Sequence, residues 1–404
     1  MKIVPKYDCD FYSDDFIKNP FQHYAVMRAL GPVVYIPKLN NYAITQFNAL
    51  KMALMDCHSL VSGLGIASDE IGCKFVKGQI VSSDPPVHKV MRKAMLPPLM
   101  PQALKQVIPN IKKASNKIIN ELITKKEFDG VSNLAQYLPL SIVRDLVGLP
   151  DFGKENMLRW AAASFDVLGI QNERGIKGAQ EIIELRKFIS GELHLKNVKP
   201  KSWIERILKM IENGNLDETL GNKIIRDYIN PSLDTTVSAI SHLIHLLSNN
   251  NCEWKKLQKD PKLLKNTVNE AIRLGSPIRS FSRIAIKDVE IEEYIIPKNS
   301  RVMMIFASAN RDENVYEKPN DFSINRDFKE HLGFGHGIHS CIGMHLAQIE
   351  MISLLDDVLR PRRVRLRPLR LRGLRHGRRL RDGRVRRVRD RPRQLRPLLE
   401  RDRR

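Results

Sequence analysis

Cys341 stands alone among glycines in Phe334-Gly335-His336-Gly337-Ile338-His339-Ser340-Cys341-Ile342-Gly343. Glycine lacks a Cβ, so such a stretch lets the backbone approach something flat and closely packed. An amphipathic run follows at once (Met344, Leu346, Ala347, Ile349 to Ile352, Leu354, Leu355). The cysteine therefore precedes a helix N-terminus, whose dipole and free N–H groups stabilise a thiolate. That describes an anionic sulfur ligand under a metal centre; the plainer alternative is a buried cysteine in a Gly-rich turn. Two other sets carry potential chemistry. His88 and Arg92 lie four apart after Pro85-Pro86, on one face of a helix that the prolines start. By themselves they make a solvated basic face. Asp234 and Thr235 place an acid beside an alcohol, just after Asn230-Pro231-Ser232-Leu233, inside the apolar run Ile224 to Leu247. Proline within a helix removes one hydrogen bond and kinks it. The alternative is a helix start with Asn230 as cap and Pro231 in first position.

The elements that must position these residues are mostly helical by periodicity. Helices are predicted at Pro20 to Leu30, Leu104 to Ile123, Leu134 to Val147, Glu155 to Leu168, Gly178 to Leu193 and Trp203 to Ile211. Val33 to Ile36 and Tyr42 to Ile44 read as a hairpin, and Ser276 to Ala285 and Val302 to Ile305 as strands. Residues 57–80 read as a loop with one short helix. The chain has 404 residues, 42% of them hydrophobic, enough for a large core. No apolar run reaches the length of a membrane span, and the first residues are too polar for a signal peptide, so a cytoplasmic location is expected. Five cysteines without CxxC or zinc spacing argue against a disulfide framework.

The ten residues around Cys341 resemble the haem-ligand loop F-G-x-G-x-H-x-C-x-G of the cytochromes P-450, with all six fixed positions filled. Other segments follow in the expected order. Asp84 to Arg92 is similar to D-P-P-x-H-x-x-x-R, in which His88 and Arg92 would bind a haem propionate. Asn230 to Thr236 is similar to the family's central-helix A-G-x-D-T-T: Asp234 and Thr235 match, while Pro231 and Ser232 replace Ala and Gly. Glu270 and Arg273 match a buried E-x-x-R that bonds a second arginine, here Arg326. Arg283 looks like a propionate-binding arginine, and Arg279 is a candidate partner for a substrate carboxylate, another propionate or the surface. The resemblance also assigns Phe334, Gly335 and His339 to haem binding and Cys341 to the iron.

What the resemblance implies is a mainly α fold, a helical prism with small β-sheets, holding haem b (iron protoporphyrin IX) between the cysteine loop and the kinked helix. Residues 57–80 would cap the substrate pocket, and the stretch from Phe165 to Arg174 would line or gate it. The reaction is monooxygenation with O₂ of a small organic molecule, aromatic or terpenoid at class level, with Asp234 and Thr235 relaying protons. Electrons must come from outside, because no flavin or iron–sulfur motif is present. A ferredoxin-type donor with an NAD(P)H reductase is expected, docking on basic residues near Lys89, Arg92 and Lys93. The rivals are a peroxide-driven peroxygenase and a non-catalytic haem-binding protein.

The formal charge of +22 suggests nucleic acid, but residues 360–404 carry 21 Arg and 4 acids, which leaves 1–359 nearly balanced. The organisation expected is therefore a haem domain, 1–359, and an Arg-rich low-complexity tail, 360–404. A nucleic-acid-binding arm is one reading of that tail. A disordered extension, such as a reading-frame shift produces, is the plainer one, since no aromatic residues interleave the arginines.

Overall fold

The computed structural model describes residues 1–125, 127–327 and 330–360. The expected Arg-rich tail lies outside them from residue 361 onward. Helices dominate. Pro20 at the first position and Gly31 just past the end delimit α1 (Pro20–Leu30), as the sequence predicts. Then come α2 (Phe47–Met55), α3 (Val87–Met95), α4 (Ile108–Ile123), α5 (Asp151–Asp166), α6 (Glu173–Gly191) and α7 (Trp203–Glu212). Polar caps set several starts: the Asn172 side chain accepts from Gly175 N–H at α6, and Ser202 from Glu205 N–H at α7. At α7 the Glu205 carboxylate reaches back to Lys201 N–H at 2.7 Å.

The expected long central helix is two helices, α8 (Glu218–Ile229) and α9 (Asp234–Asn249). This is a break, not a kink, and Asn230 does not cap α9, which starts four residues later. Pro231 has no N–H to continue the ladder. Two hydroxyls take carbonyls that the break frees: Ser232 Oγ donates to Tyr228 O, and Thr235 Oγ1 donates to Pro231 O at 2.9 Å. The chain continues through α10 (Asn251–Lys259), α11 (Leu264–Gly275) and α12 (Met344–Leu359). The predicted helix Leu134 to Val147 is instead two wide π-wound segments, Gly130–Ala135 and Pro139–Val143, before one α-turn at Arg144–Val147. Pro139, lacking an N–H, opens the second of them.

A five-stranded sheet runs β1 (Val33–Ile36), β2 (Asn41–Ile44), β7 (Arg301–Met304), β4 (Phe281–Ala285), β3 (Leu60–Val61). The expected hairpin is there, with Val33 opposite Ile44. β2 and β7 pair in parallel, Asn41 opposite Arg301, and the other pairs are antiparallel. β5 (Val289–Ile291) and β6 (Tyr294–Ile296) form a separate hairpin. The strand expected from Ser276 begins only at Phe281, because Ser276 ends α11 in a left-handed conformation. One apolar core unites α3 with α5 to α8 (Met91, Trp160, Leu185, Ile225). A second unites α4, α9, α11 and α12 (Ile119, Ile240, Ile272, Leu354).

A buried ion cluster locks the second core to the segment before the cysteine loop. Glu270 on α11 accepts from Arg273 Nε at 2.7 Å and Nη2 at 2.8 Å, and from Arg326 Nε at 3.0 Å. Arg273 also donates to the carbonyls of Asn310 and Pro319, both at 2.7 Å, and its guanidinium stacks 4.7 Å above the Tyr316 ring. Burial alone would raise the Glu270 carboxyl, but the two guanidiniums hold it below its usual range. The three residues that the sequence groups by spacing are therefore one unit, and its role is structural.

Candidate active site

Residues 334–343 wrap one wall of a cavity of about 270 Å³ that lies between the cysteine loop and the α8–α9 break. Gly335 (φ +68°) and Gly337 (φ +70°) hold left-handed conformations that favour glycine. A Cβ on Gly337 would come within 2.5 Å of Leu54 O, so the loop can lie this close to α2 only without a side chain there. Cys341 N–H donates to Phe334 O at 2.8 Å and closes the loop. Gly343 then leads directly into α12.

Cys341 lines the cavity. Burial pushes its thiol up, against the backbone N–H groups of Gly343 and Met344 and the charge of Arg92, all of which favour the thiolate. These are the opposing influences expected of a sulfur that ionises when it gains a cation partner.

His88, Arg92 and Arg283 reach the same cavity from two directions. α3 presents His88 and Arg92 on one face, and β4 presents Arg283. Arg92 Nη2 donates to Ser340 Oγ at 3.4 Å, and Arg283 Nη1 to Ser282 O at 2.7 Å. His88 packs edge-on against His339, ring centroids 4.4 Å apart, and His339 Nε2 meets Ser62 Oγ at 3.0 Å. Burial lowers both imidazoles, His339 to about 2 with help from Arg283, His88 and Arg92. The imidazoles are neutral, so the fixed positive charge belongs to the two arginines. Burial pulls the Arg283 guanidinium down to about 10, and Asp84 opposes this. Asp84 itself is engaged by Ser62 N–H and Gly63 N–H, both at 2.8 Å. His88 Nε2 is buried without a partner. Two cations, Arg283 buried and Arg92 half-buried, and an orphaned imidazole nitrogen around one space call for an anion. A thiol in the same apolar cavity completes a donor set that fits a flat iron-bearing ring with acidic arms.

Phe334 and Gly335 line the cavity with Cys341, and Thr235 and Thr236 line it from α9. Asp234 is half-buried and does not line it; burial and the neighbouring Asp166 push its carboxyl up. The predicted acid–alcohol pair is thus split, with only the alcohol at the cavity. Arg279, a candidate pocket residue by sequence, is exposed and donates to Ile17 O at 3.2 Å. It does not line the cavity, because the turn after Ser276 directs it toward the N-terminal segment. The other expected walls are present: Ile66, Val76 and Ile80 come from residues 57–80, and Phe165 and Leu168 from the end of α5. Sequence reasoning missed Gln79, Asp227, Asn230 and Glu350, polar groups that also line it. Asp227 and Asn230 are three apart on one apolar helix, a spacing that could have pointed to a shared face. Glu350 is a lone acid inside an apolar run.

Among the described residues no helix is long and apolar enough to cross a membrane. The cytochrome P450 family model matches residues 179–371. The chain is 28% identical over 355 residues to cytochrome P450 CYP199A2 of Rhodopseudomonas palustris, covering 86% of this chain and 85% of that one. It is 31% identical to linalool 8-monooxygenase of Pseudomonas putida, over 67% of this chain and 68% of the relative. Its fold is similar to the P450 haem domain of Tepidiphilus thermophilus, with a TM-score of 0.76 at 22% identity, covering 87% and 89% of the two chains. With the cysteine loop, the basic face and the broken central helix disposed around one cavity, this chain belongs to the cytochrome P450 family of haem-dependent oxidoreductases.

Proposed function

We propose that residues 1–359 form a haem b monooxygenase in which Cys341 is the thiolate ligand of the iron. The observation that carries this reading is the Cys341 thiol, set at a helix N-terminus in the wall of a cavity that Thr235, Arg92 and Arg283 also line. Arg92 and Arg283 would neutralise the haem's carboxylate arms, His88 Nε2 would donate to one of them, and His339 would hold the loop against α3. Phe334 and Gly335 would pack on the ring face. A thiolate-ligated haem supplies activation of O₂, inserting one oxygen atom into the substrate and reducing the other to water.

The protein's own part is to bind, orient and supply protons. Thr235 Oγ1 sits at the cavity and holds Pro231 O; it can pass a proton into the chamber while its own proton is replaced from behind. Asp234, one residue earlier and raised by burial, is the reservoir on the outer side of that step. The apolar walls select a small, mainly hydrocarbon substrate, and the terpenoid named in linalool 8-monooxygenase supports that class. Electrons would arrive singly from a separate ferredoxin with its NAD(P)H reductase, in the cytoplasm. Lys89 and Lys93 are exposed on α3 and suit an acidic partner. Arg92 turns inward and takes no part in that docking.

The test is the spectrum of the dithionite-reduced protein under carbon monoxide, for wild type and Cys341→Ser. A red-shifted Soret band in wild type that the variant lacks supports the assignment. An identical spectrum in both removes Cys341 from the iron.

A further inference from the structure

Most hydroxyls around the substrate end of the cavity are already used. Ser164 Oγ donates to Ala161 O at 2.6 Å, Ser232 to Tyr228 O, and Thr235 to Pro231 O at 2.9 Å. Three other polar side chains there are not used up. Asn230 is 4% exposed, and its Oδ1 is buried without a partner. Asp227, three residues earlier in the last turn of α8, is 5% exposed; one oxygen accepts from Ile80 N–H at 2.7 Å. Gln79 sits next to Ile80, is also 5% exposed and lines the cavity; its backbone carbonyl accepts from Ser83 Oγ at 2.7 Å, which leaves its side-chain amide available. The Ile80–Asp227 bond thus brings both segments to one part of the cavity, whose lining also includes the apolar side chains Ile80, Val81, Leu99, Phe165, Leu168 and Trp203. An unpaired buried polar atom is costly, and native structures keep few of them without a purpose.

We infer that Gln79, Asp227 and Asn230 form a polar subsite that holds a hydroxyl group on the substrate, leaving a hydrocarbon part to face Cys341 and Thr235. This rests on the haem-monooxygenase reading of the same cavity. A hydroxyl both donates and accepts, so it can donate to Asn230 Oδ1, or to the Asp227 oxygen that Ile80 N–H leaves open, while accepting from the Gln79 amide N–H. A plain hydrocarbon end would leave Asn230 Oδ1 buried and unmatched. A carboxylate end only accepts hydrogen bonds, so it has no proton to offer Asn230 Oδ1. The subsite therefore selects neutral alcohols over both. Discrimination of this kind is steep, because a site built to hydrogen-bond a hydroxyl rejects analogues that lack it.

The test uses three ligands on one skeleton, 4-ethylbenzyl alcohol, 4-ethyltoluene and 4-ethylbenzoate, with dissociation constants measured calorimetrically on the haem-loaded full chain. The alcohol is expected to bind at least about tenfold more tightly than either of the others, one good hydrogen bond's worth. Asn230→Leu and Asp227→Asn are each expected to shrink that preference. Asp227→Asn keeps an acceptor for Ile80 N–H, so it tests the open oxygen without removing the contact that holds the two segments together. Equal binding of alcohol and hydrocarbon by wild type, or preference for the benzoate, overturns the subsite, whatever the variants do. A wild-type protein that lacks the thiolate band under carbon monoxide yet keeps the alcohol preference overturns the proposed reaction and leaves the subsite standing.

Discussion

Glu350 offers a sharp test of the interior. It lies on α12, is 1% exposed, and has no hydrogen-bond partner at either carboxylate oxygen. Burial pushes its carboxyl from 4.5 up to about 8, with no charged neighbour contributing. In the unfolded chain the carboxyl ionises normally, so between pH 4.5 and 8 the folded state holds a proton that the unfolded state has released. Stability must then fall as pH rises through that window, by up to about 1.4 kcal/mol per pH unit. At pH 7 the accumulated cost is about 3 kcal/mol; below pH 4.5 it vanishes. Glu350→Gln has nearly the same shape and no proton to lose, so it removes this dependence and nothing else that titrates. Guanidinium unfolding of both proteins from pH 5 to 8, followed by the fluorescence of the buried Trp160, Trp203 and Trp254, isolates the effect. The variant should match wild type near pH 4.5 to 5 and exceed it by about 3 kcal/mol at pH 7. A stability difference that stays constant over this range refutes a buried, proton-holding Glu350.

Three other perturbations bear on separate parts of the molecule. Glu270→Gln leaves Arg273 and Arg326 without their counter-charge in a buried site, and should cost about 3–5 kcal/mol in unfolding free energy; a loss below 1 kcal/mol would mean that the cluster is not closed to water. Thr235→Ala should divert electrons from product to hydrogen peroxide, whereas Thr235→Ser, which keeps the hydroxyl, should restore coupling; unchanged peroxide release in the alanine variant removes Thr235 from proton transfer. If an acidic ferredoxin docks on Lys89 and Lys93, the rate of haem reduction by it should fall steeply with ionic strength, and Lys89→Glu should flatten that dependence; a salt-independent rate places the electron donor elsewhere.

What could be read directly from the chain was whatever local chemistry alone dictates. Gly335, Gly337 and Gly343 around Cys341 specify a tight turn before a helix, and that turn is where the structure puts it. Pro20 and Gly31 punctuate α1 for equally local reasons. The Glu270–Arg273 spacing needed only Arg326 to complete it. What escaped depends on contacts distant in sequence. Arg279 turns away from the cavity because the Ile17 carbonyl, far along the chain, accepts its guanidinium. Asp227 and Asn230 look like ordinary polar interruptions of an apolar helix until residues 79–81 are laid against them. The break at Pro231 was visible as a proline, but its form was not: Ser232 and Thr235 cap the freed carbonyls from within, so the chain restarts its helix at Asp234 rather than at the proline.

The parallel pairing of β2 with β7 has a consequence for how the protein is made. Asn41–Ile44 has no partner on its inner edge until Arg301–Met304 has been synthesised, about 260 residues later. At roughly 5–20 residues per second, the N-terminal hairpin waits on the order of 10–50 s at the ribosome with an open strand edge. During that interval it can pair with another nascent chain as readily as with its own, since an unpaired edge does not distinguish them. Yield in a heterologous host should therefore respond to translation speed and to chaperones that cover strand edges more than to any change that strengthens the finished core.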